Sequence, residues 1–181
     1  MNDLVNDLLD WARLAVNKDN LRMQMFDVNA LIRTVVSNLE TQITDKNIDM
    51  DIQFERENES VWGDSRAIER VLINLIHNAI KFTPEEGKIT IKSRRLDKQT
   101  VEISVSDTGI GISEEDQSLI FERFYKADKS RSNDKKGTGL GLSIVQKILH
   151  NHGQSIKVAS RLGEGSCFTF TLSREEIKND R

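Results

Sequence analysis

The sequence predicts an α/β (α+β) two-layer sandwich: a mixed, mostly antiparallel sheet covered by helices on one face, with a long loop and an N-terminal helical tail. Three observations lead there. Five segments alternate apolar and polar residues with the period of a half-buried strand. Four others carry apolar residues at spacings of three and four, as helices with one buried face do. The two kinds interleave without internal repeats.

Leu4, Val5, Leu8, Trp11, Ala12 and Ala15 form the first helical stripe, which Asn17 to Asn20 end. A second helix follows Asp27, an N-cap residue, through Leu31, Ile32, Val35, Val36 and Leu39. Ile48 to Phe54 alternates as a strand. Gly63-Asp64 then opens a third helix through Val71, Leu72, Leu75, Ile76 and Ala79, which Thr83-Pro84 stops. Lys88 to Ser93 and Val101 to Asp107 read as a hairpin. The stretch from Thr108 to Thr138 is polar, glycine-bounded and too long for a connector, the mark of a lid or binding loop, with a short helix near Asp116 to Phe121. A fourth long helix runs from Leu140 to Asn151 and ends at Gly153 in a left-handed cap, before strands Ser155 to Ser160 and Ser166 to Leu172.

Composition narrows the function. The 181 residues are 37% apolar and 30% charged, which fits one core with an appendage. A formal net charge of -3 argues against a general nucleic-acid binder. Cys167 is the single cysteine; it fits a reducing compartment and sits at a strand position, not a nucleophile's. There is no zinc-ligand spacing. No charged leader precedes an apolar stretch, and no run approaches the roughly 20 apolar residues that span a bilayer. The chain therefore reads as soluble, without membrane contact of its own, and its opening inside a helical pattern reads as a fragment of something longer.

Three clusters can carry chemistry. Asn74, Asn78 and Lys81 fall on one stripe of the third helix. An amide oxygen is a hard, neutral ligand that can complete the shell of Mg²⁺, and Lys81 can offset phosphate charge, although a solvent-facing stripe looks the same. Asp107 ends a strand and leads into Gly109-Ile110-Gly111-Ile112: a carboxylate to accept from an exocyclic amine, and glycines that let backbone approach a base, or else a plain turn. Gly137-Thr138-Gly139-Leu140-Gly141-Leu142 opens the fourth helix and presents backbone N–H groups suited to phosphate. It is neither a dinucleotide fingerprint nor a P-loop, since a loop precedes it and no Gly-Lys-Ser/Thr ending follows. Arg123, Lys126, Lys129, Arg131, Lys135 and Lys136 outnumber Asp128 and Asp134 beside it, a local cationic excess that points to a polyanionic ligand or to a solvated loop.

In order, these elements closely resemble the catalytic, ATP-binding domain of bacterial two-component sensor histidine kinases, in the Bergerat-fold ATPase and kinase superfamily. Asn74-Leu75-Ile76-His77-Asn78-Ala79-Ile80-Lys81-Phe82-Thr83 resembles the N box, and Asp107-Thr108-Gly109-Ile110-Gly111 the first glycine box. Phe121-Glu122-Arg123-Phe124-Tyr125 resembles the F box, Gly137 to Leu142 the second glycine box, and Gly163-Glu164-Gly165-Ser166 a further glycine turn. The resemblance implies ATP and Mg²⁺ as ligands. It puts Asn78 on the metal, Asn74 and Lys81 near the phosphates, Phe82 against the adenine and Asp107 on its amine. Gly109, Gly111 and Ile112 would line the base, with Ser166 supporting Asp107 through water. The Gly137, Thr138, Gly139, Leu140, Gly141 and Leu142 backbone would hold phosphate, and Tyr125, Lys126 and Arg131 would belong to the nucleotide site. Lys81 and Arg131 would be the catalytic positioning groups. The pattern departs at Lys136 and Gln154, where the family often has glycine.

The same resemblance divides the chain into residues 1–18, the tail of the second helix of a dimerisation hairpin; 19–26, a linker; 27–175, the catalytic domain; and 176–181, a polar tail. His77, His150 and His152 lie outside any His-Glu or His-Asp phosphoacceptor motif, so the expectation is ATP binding without self-phosphorylation. The expected partners are the dimerisation hairpin of the parent protein and a response regulator receiver domain. The expected location is cytoplasmic, in a membrane-anchored, homodimeric parent, with this fragment itself able to be a monomer. The rival readings are an ATP-hydrolysing superfamily member, as in DNA gyrase or MutL, and a nucleotide-free interaction module. The hydrolases carry a glutamate as base where this chain has Asn74.

Overall fold

A computed structural model describes Val5, Leu9 and residues 21–127 and 137–175. Seven strands build one sheet: β1 (Gln24–Asp27), β2 (Asp49–Phe54), β3 (Ser60–Gly63), β4 (Lys88–Arg95), β5 (Thr100–Asp107), β6 (Ile156–Arg161) and β7 (Gly165–Ser173). Their spatial order is β1-β3-β7-β5-β4-β2, with β6 on the edge of β7 that β3 leaves open. Only β2 and β4 run parallel; the other neighbours are antiparallel. The helices are α1 (Val28–Asn38), α2 (Glu40–Asp45), α3 (Ser65–Phe82), the short α4 (Glu114–Gln117) and α5 (Gly141–Asn151).

Strand alternation decides which face is covered. Ile89 and Ile91 on β4, Val101, Ile103 and Val105 on β5, and Phe168, Phe170 and Leu172 on β7 are all buried. They pack with Val71, Leu72, Leu75 and Ile76 of α3 and with Ile144, Val145 and Ile148 of α5 in one core. Each such side chain, taken wholly out of water, is worth roughly 1.5–3 kcal/mol. The opposite face carries Ser104, Ser106, Cys167, Thr169 and Thr171, polar or small residues that need no cover.

Capping follows the sequence closely. Asp27 Oδ1 accepts from the N–H groups of Asn29 and Ala30 at the start of α1, and Asp64 Oδ1 from those of Arg66 and Ala67 at the start of α3. Gly153, at φ +70°, closes α5 in a Schellman arrangement, with Gly153 N–H on the His150 carbonyl and Gln154 N–H on that of Leu149.

Four elements differ from the predicted pattern. The predicted linker 19–26 contains most of β1, which pairs with β3, itself unpredicted; four residues of strand are too few to display a period. The second helix breaks at Leu39 into α1 and α2. The short helix forms earlier than predicted, at Glu114–Gln117, because Ser113 caps it by accepting from Asp116 N–H.

Val5 and Leu9, one helical turn apart, are helical and about half exposed. The rest of the predicted tail helix up to Asn20, the lid residues Asp128 to Lys136 including Arg131, and the tail 176–181 lie outside the described residues. Among the described residues, no helix is long and apolar enough to cross a membrane.

Candidate functional site

The sheet register builds one end of the site. Asp107 pairs with Ser166, and Ser166 with Ser160, so these three form the last row of the helix-facing side, one step beyond the apolar row Ile91, Val105, Phe168 and Val158. At that edge the core gives way to polar groups. Asp107 is half-buried, and burial raises its carboxyl above the usual range against the backbone N–H groups of Gly109 and Ser166, which favour the charge. Gly109 N–H donates to Asp107 Oδ1 at 2.8 Å.

Close approach explains the glycines here. A Cβ on Gly111, at φ +69°, would lie 2.0 Å from the Arg161 carbonyl oxygen, and one on Gly109 would lie 2.6 Å from that of Phe82. The Asp107 turn is thereby wedged between the end of α3 and the β6–β7 hairpin, where Gly163 N–H bonds the Ile110 carbonyl at 2.7 Å.

Helix α3 builds the other end. Asn74 donates its Nδ2 to the Arg70 carbonyl one turn back, at 2.9 Å, and its Oδ1 lies 2.7 Å from where a Cβ of Gly141 would stand. Lys81 Nζ is 3.0 Å from the corresponding point on Gly137. The segment from Gly137 to Gly141 thus runs antiparallel to α3, from Lys81 toward Asn74 along the stripe that includes the half-buried Asn78. At its end α5 begins: Leu140 N–H bonds Thr138 Oγ1 at 3.2 Å, while the N-cap residue Leu140 offers no side-chain cap to the first turn. Those N–H groups suit an anion. Lys81 Nζ also stands 5.1 Å from the centre of the Phe82 ring, which is 43% exposed.

The lid is closed at its base. Phe124, held at φ +60°, donates its N–H to the Gly139 carbonyl at 2.9 Å, so the two ends of the intervening loop meet. The Tyr125 hydroxyl bonds Asp116, whose other oxygen bonds Ser113 Oγ at 2.7 Å. The predicted nucleotide contact Tyr125 therefore has its hydroxyl engaged by α4. Leu140 is fully buried, so only its backbone can contribute to the site. Lys126 is exposed.

Sequence reading missed three contributors. Ser160 accepts from Ile112 N–H and contacts both the Gly165 carbonyl and the Ser166 hydroxyl. Gln117 donates to the carbonyls of Ile112 and Ser160. Lys46 Nζ bonds the carbonyls of Ile80, Lys81 and Thr83 at the end of α3. Ser160 and Gln117 act through strand register and loop closure, and Lys46 acts over 34 residues of chain; none belongs to a local motif.

A recess lined by Asp107, Ser160, Gly165 and Ser166, together with a glycine-rich helix start beside an amide and a lysine, is the arrangement of a nucleotide-binding two-layer sandwich. Residues 63–176 match the family model described as histidine kinase-, DNA gyrase B-, and HSP90-like ATPase. The chain is 36% identical over 172 residues to the adaptive-response sensory kinase SasA of Gloeothece citriformis, covering 95% of this chain and 43% of that one. It thus spans under half the length of this curated relative. The nucleotide-free catalytic domain of histidine kinase ThkA superposes with a TM-score of 0.75 at 38% identity, covering 84% of this chain and 98% of that one. Full-length ShkA in complex with AMPPNP gives 0.83 at 30% identity, covering 94% and 35%. ThkA in complex with the response regulator TrrA gives 0.79 at 32%, covering 98% and 48%. The chain belongs to the histidine kinase-, DNA gyrase B- and HSP90-like ATPase family, as a catalytic domain of the histidine kinase kind.

Proposed function

We propose that this chain binds ATP with Mg²⁺ and serves as the phosphoryl donor of a sensor histidine kinase. The observation that carries this reading is the antiparallel run of Gly137–Gly141 along Lys81, Asn78 and Asn74, with Asp107 at the far side of Gly109. The adenine amine donates to the Asp107 carboxylate, which also accepts from the backbone N–H groups of Gly109, at Oδ1, and of Ser166. Gly109, Gly111 and Ile112 flank the base, Phe82 lies against it, and Ser166 supports the carboxylate. The phosphates lie along the Gly137–Leu142 backbone and the start of α5. Lys81 offsets their charge, with Arg131, Lys126 and Tyr125 approaching from the lid.

The donor set fits Mg²⁺. No group of three or more His, Cys, Asp or Glu side chains that could hold a metal occurs among the described residues, so the ion would take one ligand, the Asn78 oxygen, from the protein and the rest from phosphate and water. Bound there, it neutralises charge on the transferring phosphoryl group. The chain's own contribution is positioning and electrostatics.

A hydrolase needs a base one turn before Asn78. Asn74 stands there, an amide whose nitrogen is bonded back to Arg70 and which cannot take a proton from water. The acceptor is then a histidine on the dimerisation hairpin of the parent protein, and the next acceptor a response regulator receiver domain, as the ThkA–TrrA complex supports. The parent would be a homodimer anchored in the membrane, with this domain on the cytoplasmic side.

Calorimetry with a non-hydrolysable ATP analogue and Mg²⁺ tests binding. Asp107→Asn should weaken it about tenfold or more, since the carboxylate acceptor facing the amine becomes an amide. Mixing the chain with a purified hairpin bearing the acceptor histidine should give acid-labile, base-stable phosphate on the hairpin and none on the chain alone. No heat of binding at millimolar analogue would point to an interaction module instead.

A further inference from the structure

Ser160 Oγ has three polar neighbours: Ile112 N–H at 2.8 Å, the Gly165 carbonyl at 2.8 Å and Ser166 Oγ at 2.9 Å. A hydroxyl has one proton to give and two lone pairs to accept with. A carbonyl can only accept, so the Ser160 proton goes to Gly165. Ile112 N–H takes one lone pair, and the other is left for Ser166, which must therefore donate. The direction of the Ser166 proton is fixed by its neighbour.

That direction has a chemical consequence, because Ser166 adjoins Asp107 in the same row of the sheet. With its proton committed to Ser160, Ser166 offers only lone pairs, and an ionised Asp107 offers only lone pairs as well. The polar edge of the recess is an array of acceptors. Opposite position 6 such an array suits an amino group and repels an oxygen, whereas opposite position 1, where adenine accepts and a 6-oxo purine donates, the preference would be reversed; Ser166 is therefore taken to face position 6. A Ser166 hydroxyl free to turn could instead donate to that oxygen.

We propose that Ser160 is a positioning residue for nucleobase specificity: by holding the Ser166 proton it keeps the recess acceptor-only and so selects 6-amino over 6-oxo purine nucleotides. The inference rests on the ATP reading above. Gly165 sits at the same junction, where a Cβ would lie 2.0 Å from the Asp107 carbonyl oxygen, so the turn that presents its carbonyl to Ser160 lies directly against the Asp107 backbone.

The test compares Mg²⁺-ATP with Mg²⁺-ITP by calorimetry on the full chain. The ratio of the two dissociation constants is the readout, because general damage to the fold weakens both nucleotides in parallel. Ser160→Ala should narrow the ATP preference about tenfold, the equivalent of one hydrogen bond gained by the 6-oxo base. Ser160→Thr, which keeps the hydroxyl on a strand that tolerates β-branching, should retain the wild-type ratio. In a Ser166→Ala background, Ser160→Ala should leave the ratio unmoved. An unchanged ratio in Ser160→Ala, or an equal narrowing with Ser166 already removed, overturns the proposal while leaving the ATP reading intact. Failure of the wild-type chain to bind ATP overturns both.

Discussion

The backbone N–H of Asp64 donates to Nε2 of His152 across 3.1 Å, fastening the first residue before α3 to the last turn of α5. His152 is 4% exposed, and its Nδ1 lies 2.8 Å from the Ile148 carbonyl, so Nε2 accepts, Nδ1 donates and the ring is held neutral. The two helices that carry the phosphate side of the site are thus locked antiparallel at the end remote from it.

A pH dependence follows. Burial pushes the His152 imidazole below its ordinary 6.5, against the Ile148 carbonyl and Asp64, which favour the charge. Above 6.5 the ring is neutral in both the folded and the unfolded chain, and its contribution is complete. Below that, the unfolded chain takes up a proton that the folded one refuses, so stability falls with pH until the lowered folded value is passed. Denaturant midpoints should drop between pH 7.5 and 5.5, and less so in His152→Gln. An equal drop in the variant would mean that other groups govern the acid response.

Glu59 should matter for stability and not for nucleotide affinity. Its carboxylate, 3% exposed, is shared by Arg95, at 2.8 and 3.0 Å, and Arg174, at 3.0 Å, tying β4 and the residue after β7 to the start of β3. Glu59→Gln leaves two guanidinium groups facing a neutral amide. The cost should be about 3 kcal/mol, at the low end for a broken buried pair because both arginines reach solvent. Urea unfolding measures it, and an unchanged dissociation constant for ATP should accompany it.

Lys46 links stability to the site. Its ammonium bonds the carbonyls of Ile80 at 2.7 Å and Lys81 at 3.3 Å, and also that of Thr83, groups that a helix end leaves without partners. Lys46→Met should cost roughly 1.5–3 kcal/mol, as charged hydrogen bonds do. Because Lys81 and Phe82 occupy that same turn, nucleotide affinity should fall as well, and Lys46→Arg should restore part of both. Loss of stability with full affinity would separate the cap from the site.

The sequence made legible whatever is local. Asp27 and Asp64 as caps, the Gly153 stop and the alternation of β4, β5 and β7 each depend on a few neighbouring residues. The face on which Asp107 and Ser166 meet follows from period two once the strands are paired, but the pairing itself is not local. β7 lies beside β5, more than 50 residues away, and only that register brings Ser160 into line with Asp107. β1 and β3, with four residues each, were too short to carry a pattern and stand on contacts with each other and with β7. Lys46 has no motif because its partners are backbone carbonyls, which every residue has.

Gly141 offers the sharpest test of how α3 and the second glycine box fit. Replacing a helical glycine by alanine ordinarily stabilises by about 0.5–1 kcal/mol, and Gly141 has no positive φ to oppose it. Here the new methyl would lie 2.7 Å from Asn74 Oδ1, whose amide is held in place by its bond to the Arg70 carbonyl. Gly141→Ala should therefore fail to raise the melting temperature and should weaken ATP binding, since the box must move off the stripe that includes Asn78. In an Asn74→Ala background the obstruction is gone, and the same substitution should then stabilise by its ordinary amount. The difference between the two backgrounds, about 1 kcal/mol or more, is the coupling between Gly141 and Asn74. Equal effects in both backgrounds would mean that the two residues do not touch.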